Sequence, residues 1–191
     1  MCALKHLSNS PRYYTLGHDD AIDWILAIKP LRKLILHNCM IASWIRIDED
    51  NMPIWNMPTH DWERMGASEP DSFGEAFAYK GTWSRSLDRF AAELPRLVDF
   101  RFDYGGNYRA GHVYGVKHRE EAQARIFPQR YVVFDNGILP THWPEADEDG
   151  TVYSWMDDGW PVNMHVVTEE SDRRSLEGLV EVVRERASGR G

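Results

Sequence analysis

The apolar positions of this chain repeat the same spacing in two places. Each copy follows the pattern L-x-x-L-x-x-L-x-L, where L is a large apolar residue, and each comes after a segment with helical periodicity. The short spacing at the end of each copy is typical of a buried strand. The pattern predicts a helix-then-strand unit that occurs twice, at Ile28, Leu31, Leu34 and Leu36 and again at Leu94, Leu97, Phe100 and Phe102.

Two helices are predicted from apolar residues spaced three and four positions apart. Pro30 and Pro95 should end them, because proline lacks a backbone N–H and disfavours helical geometry in the residue before it. The predicted apolar faces are Ala21, Trp24, Ile25 and Ile28 in the first helix and Trp83, Leu87, Phe90, Ala91 and Leu94 in the second.

A helix before each strand indicates parallel strands, because a crossover brings successive strands into the same direction. A further strand is predicted at 131–134, a capping helix follows 171, and residues 48–82 and 103–128 have the weak periodicity of insertions. The expected fold class is α/β: a short, irregular leucine-rich-repeat-like solenoid with parallel strands, helices on one face and long insertions. One such domain should span 18–187, after an N-terminal segment at 1–17 and before a frayed tail at 188–191.

Composition narrows the class of protein. A length of 191 residues suits one domain, and 8 Trp, 8 Tyr and 7 Phe can supply its core. A net charge of -8 disfavours nonspecific nucleic-acid binding, and no apolar run is long enough to span a membrane. The two distant cysteines, Cys2 and Cys39, are typical of a reducing compartment. We expect an intracellular protein, cytoplasmic or nuclear, with no nucleic-acid or membrane partner.

Three segments together resemble the C-terminal region of fungal F-box proteins with degenerate leucine-rich repeats. They are LRKLILHNCMI at 31–41, WSRSLDRFAAELPRLVDFRF at 83–102 and RYVVFDNGILPTHW at 130–143. The resemblance implies a substrate-binding solenoid that, in full-length relatives, is joined to an F-box that recruits a ubiquitin ligase. The sequence shows no Leu-Pro-led F-box helix. A ubiquitin-ligase adaptor is therefore an expected partner only if an F-box lies upstream in a longer gene product.

Histidines are the first candidates for metal binding. His60 adjoins Asp61, and His112 and His118 are six positions apart, so the latter pair does not share a helix face as i, i+4 ligands would. No cysteine pair joins either group. We expect no metal and no cofactor.

Carboxylates at strand ends are the candidates for acid/base chemistry. Asp103 and Asp135 each follow a predicted strand, and two acids at the carboxyl ends of parallel strands could work as a pair. Turn chemistry explains both residues without catalysis, because Asp is common where strands end. We expect a protein that is not an enzyme, and the alternative is a hydrolase with a site of loop carboxylates and histidines.

The candidate partner-binding residues are Trp55, Trp62, Asp99 and Arg101. Asp99 and Arg101 should lie on the outward side of the second strand, and the tryptophans belong to an insertion that would overhang it. A tryptophan there either binds a partner or packs the insertion onto the body of the domain. Arg and Trp often dominate interfaces, because each buries a large area while offering a polar group. The predicted function is non-enzymatic protein–protein recognition, by resemblance the substrate-binding part of a ubiquitin-ligase receptor.

Overall fold

The computed structural model describes residues 14–47, 60–65, 75–104, 124–135, 141–142 and 164–189. These residues form a small mixed α/β fold with two sheets. The strands are β1 (Tyr14–Leu16), β2 (Lys33–His37), β3 (Cys39–Ile47), β4 (Trp62–Met65), β5 (Glu75–Tyr79), β6 (Asp99–Asp103), β7 (Tyr131–Asp135) and β8 (Thr141–His142). The helices are α1 (Asp19–Leu26), α2 (Trp83–Glu93), α3 (Met164–Val167) and α4 (Glu169–Ala187), and a 3-10 turn (Pro128–Arg130) precedes β7.

The two repeated strands pair with each other as the spacing predicts. β2 and β6 form a two-stranded parallel sheet in which Leu34 is opposite Phe100 and Leu36 is opposite Phe102. All four side chains are buried, and the Phe100 ring lies 6.4 Å from the ring of Phe90 in α2. The repeat therefore places one shared core beneath this sheet.

The remaining strands form a six-stranded sheet of mixed direction. Its order is β4-β5-β3-β7-β8, with β1 also paired to β3. β3 pairs in parallel with both β1 and β7. The other pairs, β3 with β5, β4 with β5, and β7 with β8, are antiparallel. Parallel strands are present as predicted, but the segment 48–82, which was predicted to be an insertion, contributes β4 and β5 to the sheet edge in antiparallel pairing. The predicted third strand forms β7, which pairs with β3 and not with β6.

Helix α2 has the apolar face that its sequence predicts. Trp83, Leu87, Phe90 and Leu94 are fully buried. The Thr82 hydroxyl accepts a hydrogen bond from the Arg85 N–H at 3.3 Å, which satisfies one of the free donors at the helix start. α2 packs against both α1 and α4, so it lies at the centre of the helical layer.

Helix α1 turns a different face to the core from the one predicted. Ile22, Ile25 and Leu26 are buried, whereas Trp24 is 55% exposed. The predicted face and the observed one both satisfy three- and four-residue spacing and differ by part of a turn. Placing Trp24 in the core was therefore wrong, and the large aromatic side chain misled the choice between two similar periodic patterns.

The last helix begins earlier than predicted. α4 starts at Glu169, and its buried side chains include Leu176, Leu179 and Val183, which follow the three- and four-residue spacing of one helix face. Asp172 does not cap this helix, because its side chain is buried against Arg130 within the first turn. In the described part of the chain, no helix combines the length and the apolar character needed to cross a bilayer.

Candidate functional site

The outward side of the β2–β6 sheet collects the polar residues of both repeats. Inward and outward side chains alternate along each strand, so Leu34, Leu36, Phe100 and Phe102 face the core. The parallel register places the remaining residues in three opposed pairs on the other side. These pairs, which we call the strand face, are Lys33 with Asp99, Ile35 with Arg101, and His37 with Asp103.

Asp99 connects the charged residues of the strand face. Its carboxylate accepts two hydrogen bonds from the Arg101 guanidinium, at 3.1 Å and 3.3 Å, and lies 3.0 Å from the Lys33 ammonium. Partial burial raises the pKa of Asp99, but hydrogen bonds from Arg101 and Lys33 outweigh it and hold the pKa below its ordinary value. Asp99 is therefore an anion that orients the Arg101 side chain.

His37 and Asp103 close the carboxyl end of the strand face. The two side chains meet with 2.5 Å between His37 Nδ1 and Asp103 Oδ1, and both are nearly buried. Asn38 follows with a φ of 53°, a left-handed conformation that Asn tolerates better than most residues, and its N–H donates to the Asp103 carbonyl at 3.0 Å. This corner leads directly from β2 into β3 and fixes the imidazole beside the carboxylate.

The predicted partner-binding residues have different surroundings. Asp99 and Arg101 lie on the outward face, as the alternation predicted, with about a third and a fifth of their side chains exposed. Trp62 is only 7% exposed, and its indole N–H donates to the Gly17 carbonyl at 2.7 Å. Of the two roles open to it, Trp62 therefore has the packing role, because this side chain fastens β4 to the segment before α1. Trp55 lies outside the described residues.

The carboxylates chosen for acid/base chemistry do not come together in one sheet. Asp103 ends β6 beside His37, whereas Asp135 ends β7 and is opposite Arg46 in the larger sheet. The two strands lie in separate sheets, so the fold does not bring the two acids together at one sheet edge as an acid/base pair would require. His112 and His118 lie outside the described residues.

A second cluster of polar side chains surrounds the start of α1. His18 Nδ1 lies 2.6 Å from Asp61 Oδ1, and the other Asp61 oxygen accepts the Asp19 N–H at 2.9 Å. The His60 ring stacks on the His18 ring with 5.7 Å between centroids. Although burial raises the pKa of Asp61, the Asp19 N–H and the His18 imidazole hold it below its ordinary value.

Aromatic side chains of β4 and β5 pack beside this second cluster. Trp62 stacks on Tyr79 with 5.4 Å between ring centroids, and the Tyr79 hydroxyl donates to Asp19 Oδ1 at 2.7 Å. Gly81 allows this arrangement, because a Cβ there would lie 2.2 Å from the Tyr79 ring. The cluster is thus fixed by packing from β4 and β5.

Sequence reasoning missed His18 and His37 as site residues. Their partners are 43 and 66 residues away, so no local spacing connects them. For His37 a signal was present, because the aligned repeats place it at the same position as Asp103. Comparisons of the chain with protein-family models, curated proteins and solved structures find no match.

Proposed function

We propose that this chain is a non-enzymatic protein-recognition module whose partner binds the strand face. The observation that supports this most directly is the set of three opposed pairs on the outward side of β2 and β6, with Arg101 held in place by Asp99. A guanidinium fixed in advance loses little side-chain entropy when a partner binds, and arginine is enriched among the residues that dominate interfaces.

The proposed architecture behind this function is a short leucine-rich-repeat-like solenoid. Two features support it: β2 pairs with β6 in parallel, and β1, β3 and β7 are parallel neighbours in the other sheet. Each of the two repeats contributes a helix and then a strand, and α1 packs on α2. In such folds the strand side is the usual binding surface.

The resemblance to fungal F-box proteins suggests which kind of recognition this is. By that resemblance the strand face would hold a substrate protein for ubiquitin ligation inside the cell, and an F-box upstream of this chain would supply the ligase contact. An in-frame F-box in the upstream genomic sequence would support this specific role. Absence of an F-box would exclude the ubiquitin-ligase role but not the proposal that the strand face binds a protein.

Replacing Arg101 with Ala tests the strand face. Proximity labelling in cells, with the wild type and the Arg101→Ala variant side by side, first identifies proteins that depend on this side chain. With a purified partner, Arg101→Ala should weaken binding by about 2 kcal/mol, the scale of a hot spot, without lowering the melting temperature. Trp55→Ala should behave in the same way if the insertion reaches the partner.

Arg173→Ala is the matched control. This arginine is exposed on α4 and pairs with Glu169 within the helix, so its loss should leave partner binding unchanged. If Arg101→Ala unfolds the domain while the folded fraction binds as before, Arg101 is structural and the strand face is not the site. Equal loss from both variants would indicate a nonspecific charge effect and count against the proposal.

A hydrolase remains the second candidate because His37 and Asp103 form the histidine–carboxylate pair that orients a general base. The nearest thiol does not complete a nucleophilic site. Cys39 Sγ donates to the His37 carbonyl at 3.7 Å, and burial raises the pKa of its thiol to about 12, so it stays protonated. Ester hydrolysis by the wild type that disappears in His37→Gln, with the fold intact, would favour this candidate over recognition.

A further inference from the structure

We propose that His18, His60 and Asp61 form a binding site for a divalent transition-metal ion, with zinc the best match. One potential ligand atom from each side chain lies within 4.8 Å of the other two. Two imidazoles and a carboxylate are a ligand set that zinc accepts, and three protein ligands leave a fourth position for water. This site goes beyond the recognition proposal and does not depend on it.

The three ligands come from two segments that other contacts hold together. His18 directly precedes α1, whereas His60 and Asp61 directly precede β4. The hydrogen bond from the Trp62 indole to the Gly17 carbonyl joins these segments one residue away from the ligands on each side. The ligand atoms are therefore brought near one another by the fold, and small side-chain rotations would give the ligand separations of about 3.3 Å that zinc bond lengths require.

The charge around the cluster favours a cation. Asp61 contributes one carboxylate to the cluster, and Asp20 Oδ2 lies 3.8 Å from His60 Nε2. The carboxylate of Asp19, the residue after His18, accepts the Tyr79 hydroxyl. Arg85 offsets one of these charges, since it lies 3.1 Å from Asp19. A carboxylate beside the other nitrogen of a ligating histidine is a common way to orient the ring, and Asp20 would do this for a His60 that binds the ion through Nδ1.

Exposure of the cluster allows a metal to enter. The His60 side chain is 58% exposed, whereas those of His18 and Asp61 are mostly covered. His18 and Asp61 would thus be held in place by the protein, and the exposed His60 side chain would move to bind the ion after it enters. The bound ion would also join the start of α1 to β4, so it should stabilise the fold.

His60→Gln is the clean test of this site, because the exposed side chain contributes little to the fold. The full chain is stripped of metal with a chelator and titrated with Zn²⁺ by calorimetry. We expect one equivalent to bind the wild type and the affinity to fall at least about 100-fold in His60→Gln, since even residues that only orient a ligand change metal affinity by 10–100-fold. Zinc should raise the melting temperature of the wild type and leave that of His60→Gln unchanged.

His112→Gln is the matched control, because it removes a histidine that the proposal does not include. This variant should bind zinc as the wild type does, and Co²⁺ bound to either protein should give the visible absorption of a low-coordinate site. Equal zinc affinity of the wild type and His60→Gln overturns the proposal. So does zinc uptake that is lost in His112→Gln, or a wild type that takes up no zinc.

Discussion

Two helices in this fold begin with a backbone N–H bonded to an aspartate that lies far away in the sequence. Asp61 accepts the Asp19 N–H at the start of α1, and Asp172 accepts the Ser84 N–H at the start of α2. Each carboxylate satisfies a donor that the helix itself leaves free and places negative charge at the positive end of the helix dipole. The two aspartates differ in everything else that surrounds them.

Asp172 is enclosed by protein donors. Its side chain has no exposed area, and its Oδ2 accepts hydrogen bonds from Arg130 Nε and from the Thr168 hydroxyl, both at 2.7 Å. Arg130 is equally buried, and its other N–H groups donate to the Phe127 and His165 carbonyls. Each charge has its counter-charge and its hydrogen bonds within the core, so this aspartate has a structural role.

Asp61 has the same backbone role with fewer protein donors around it. Its side chain is 14% exposed, and its other partner is the His18 imidazole, with the exposed His60 ring stacked beyond. Histidine can release its hydrogen-bond partner to a metal, whereas arginine cannot act as a ligand. Burial and the chemistry of the neighbouring donor therefore decide whether a capping carboxylate is closed or open to a ligand.

Asp172→Asn should produce the largest effect, a loss of about 3–5 kcal/mol in the free energy of unfolding. The reason is that the substitution leaves the Arg130 charge buried without a counter-charge. Urea unfolding followed by circular dichroism measures it. Glu177→Gln, an exposed acid on the same helix, is the control and should stay within about 0.5 kcal/mol of the wild type. A loss below about 1 kcal/mol would show that Arg130 does not depend on Asp172.

Asp61→Asn should have a smaller effect, a loss of about 1 kcal/mol, the usual contribution of a capping side chain. The measurement is made with a chelator present, so that a bound metal does not add to the wild-type value. Asn at this position can still accept the Asp19 N–H but loses the charge. If this loss equals that of Asp172→Asn, the two aspartates are energetically alike and the comparison fails.

The sequence was sufficient where structure depends on local periodicity. The α2 stripe that includes Phe90 and the β2–β6 pairing both follow from spacings of two, three and four residues, and both were confirmed. The sequence of α1 has the same kind of pattern, but it is compatible with two different buried faces. The face with Ile22 and Leu26 is the buried one, and Trp24 is exposed.

The candidate sites were harder to predict because they depend on contacts between distant segments. Asp172 lies 88 residues from Ser84, and nothing in the spacing of either segment indicates that one caps the other. Trp62 illustrates the same difficulty, since burial under its neighbours depends on where β4 lies in the sheet. Outward alternation at Asp99 and Arg101 could be predicted, because it depends only on the two-residue period of a strand.

The smallest expected effect is the pH dependence that Asp61 confers. Burial raises the pKa of Asp61, but the folded state also provides the Asp19 N–H and the His18 imidazole as partners. The pKa is therefore lower in the folded protein than in the unfolded chain. Near pH 4 the unfolded chain therefore binds more protons, and the free energy of unfolding rises with pH in that range. The stability that Asp61 adds is fully present above the ordinary carboxyl pKa of about 3.9 and disappears as the pH falls through the folded value.

Comparing the wild type with Asp61→Asn across pH isolates this contribution. Asp99 also has a lowered pKa, but it is present in both proteins, so its effect cancels in the difference. We expect the stability difference to be constant at neutral pH and to shrink as the pH falls below about 4, by less than about 1 kcal/mol because solvent screens a partly exposed pair. The free energy of unfolding of each protein is measured by urea unfolding at each pH, with a chelator present. A difference that stays constant down to acid pH would mean that the Asp61 charge contributes nothing and that only its hydrogen-bond geometry holds α1.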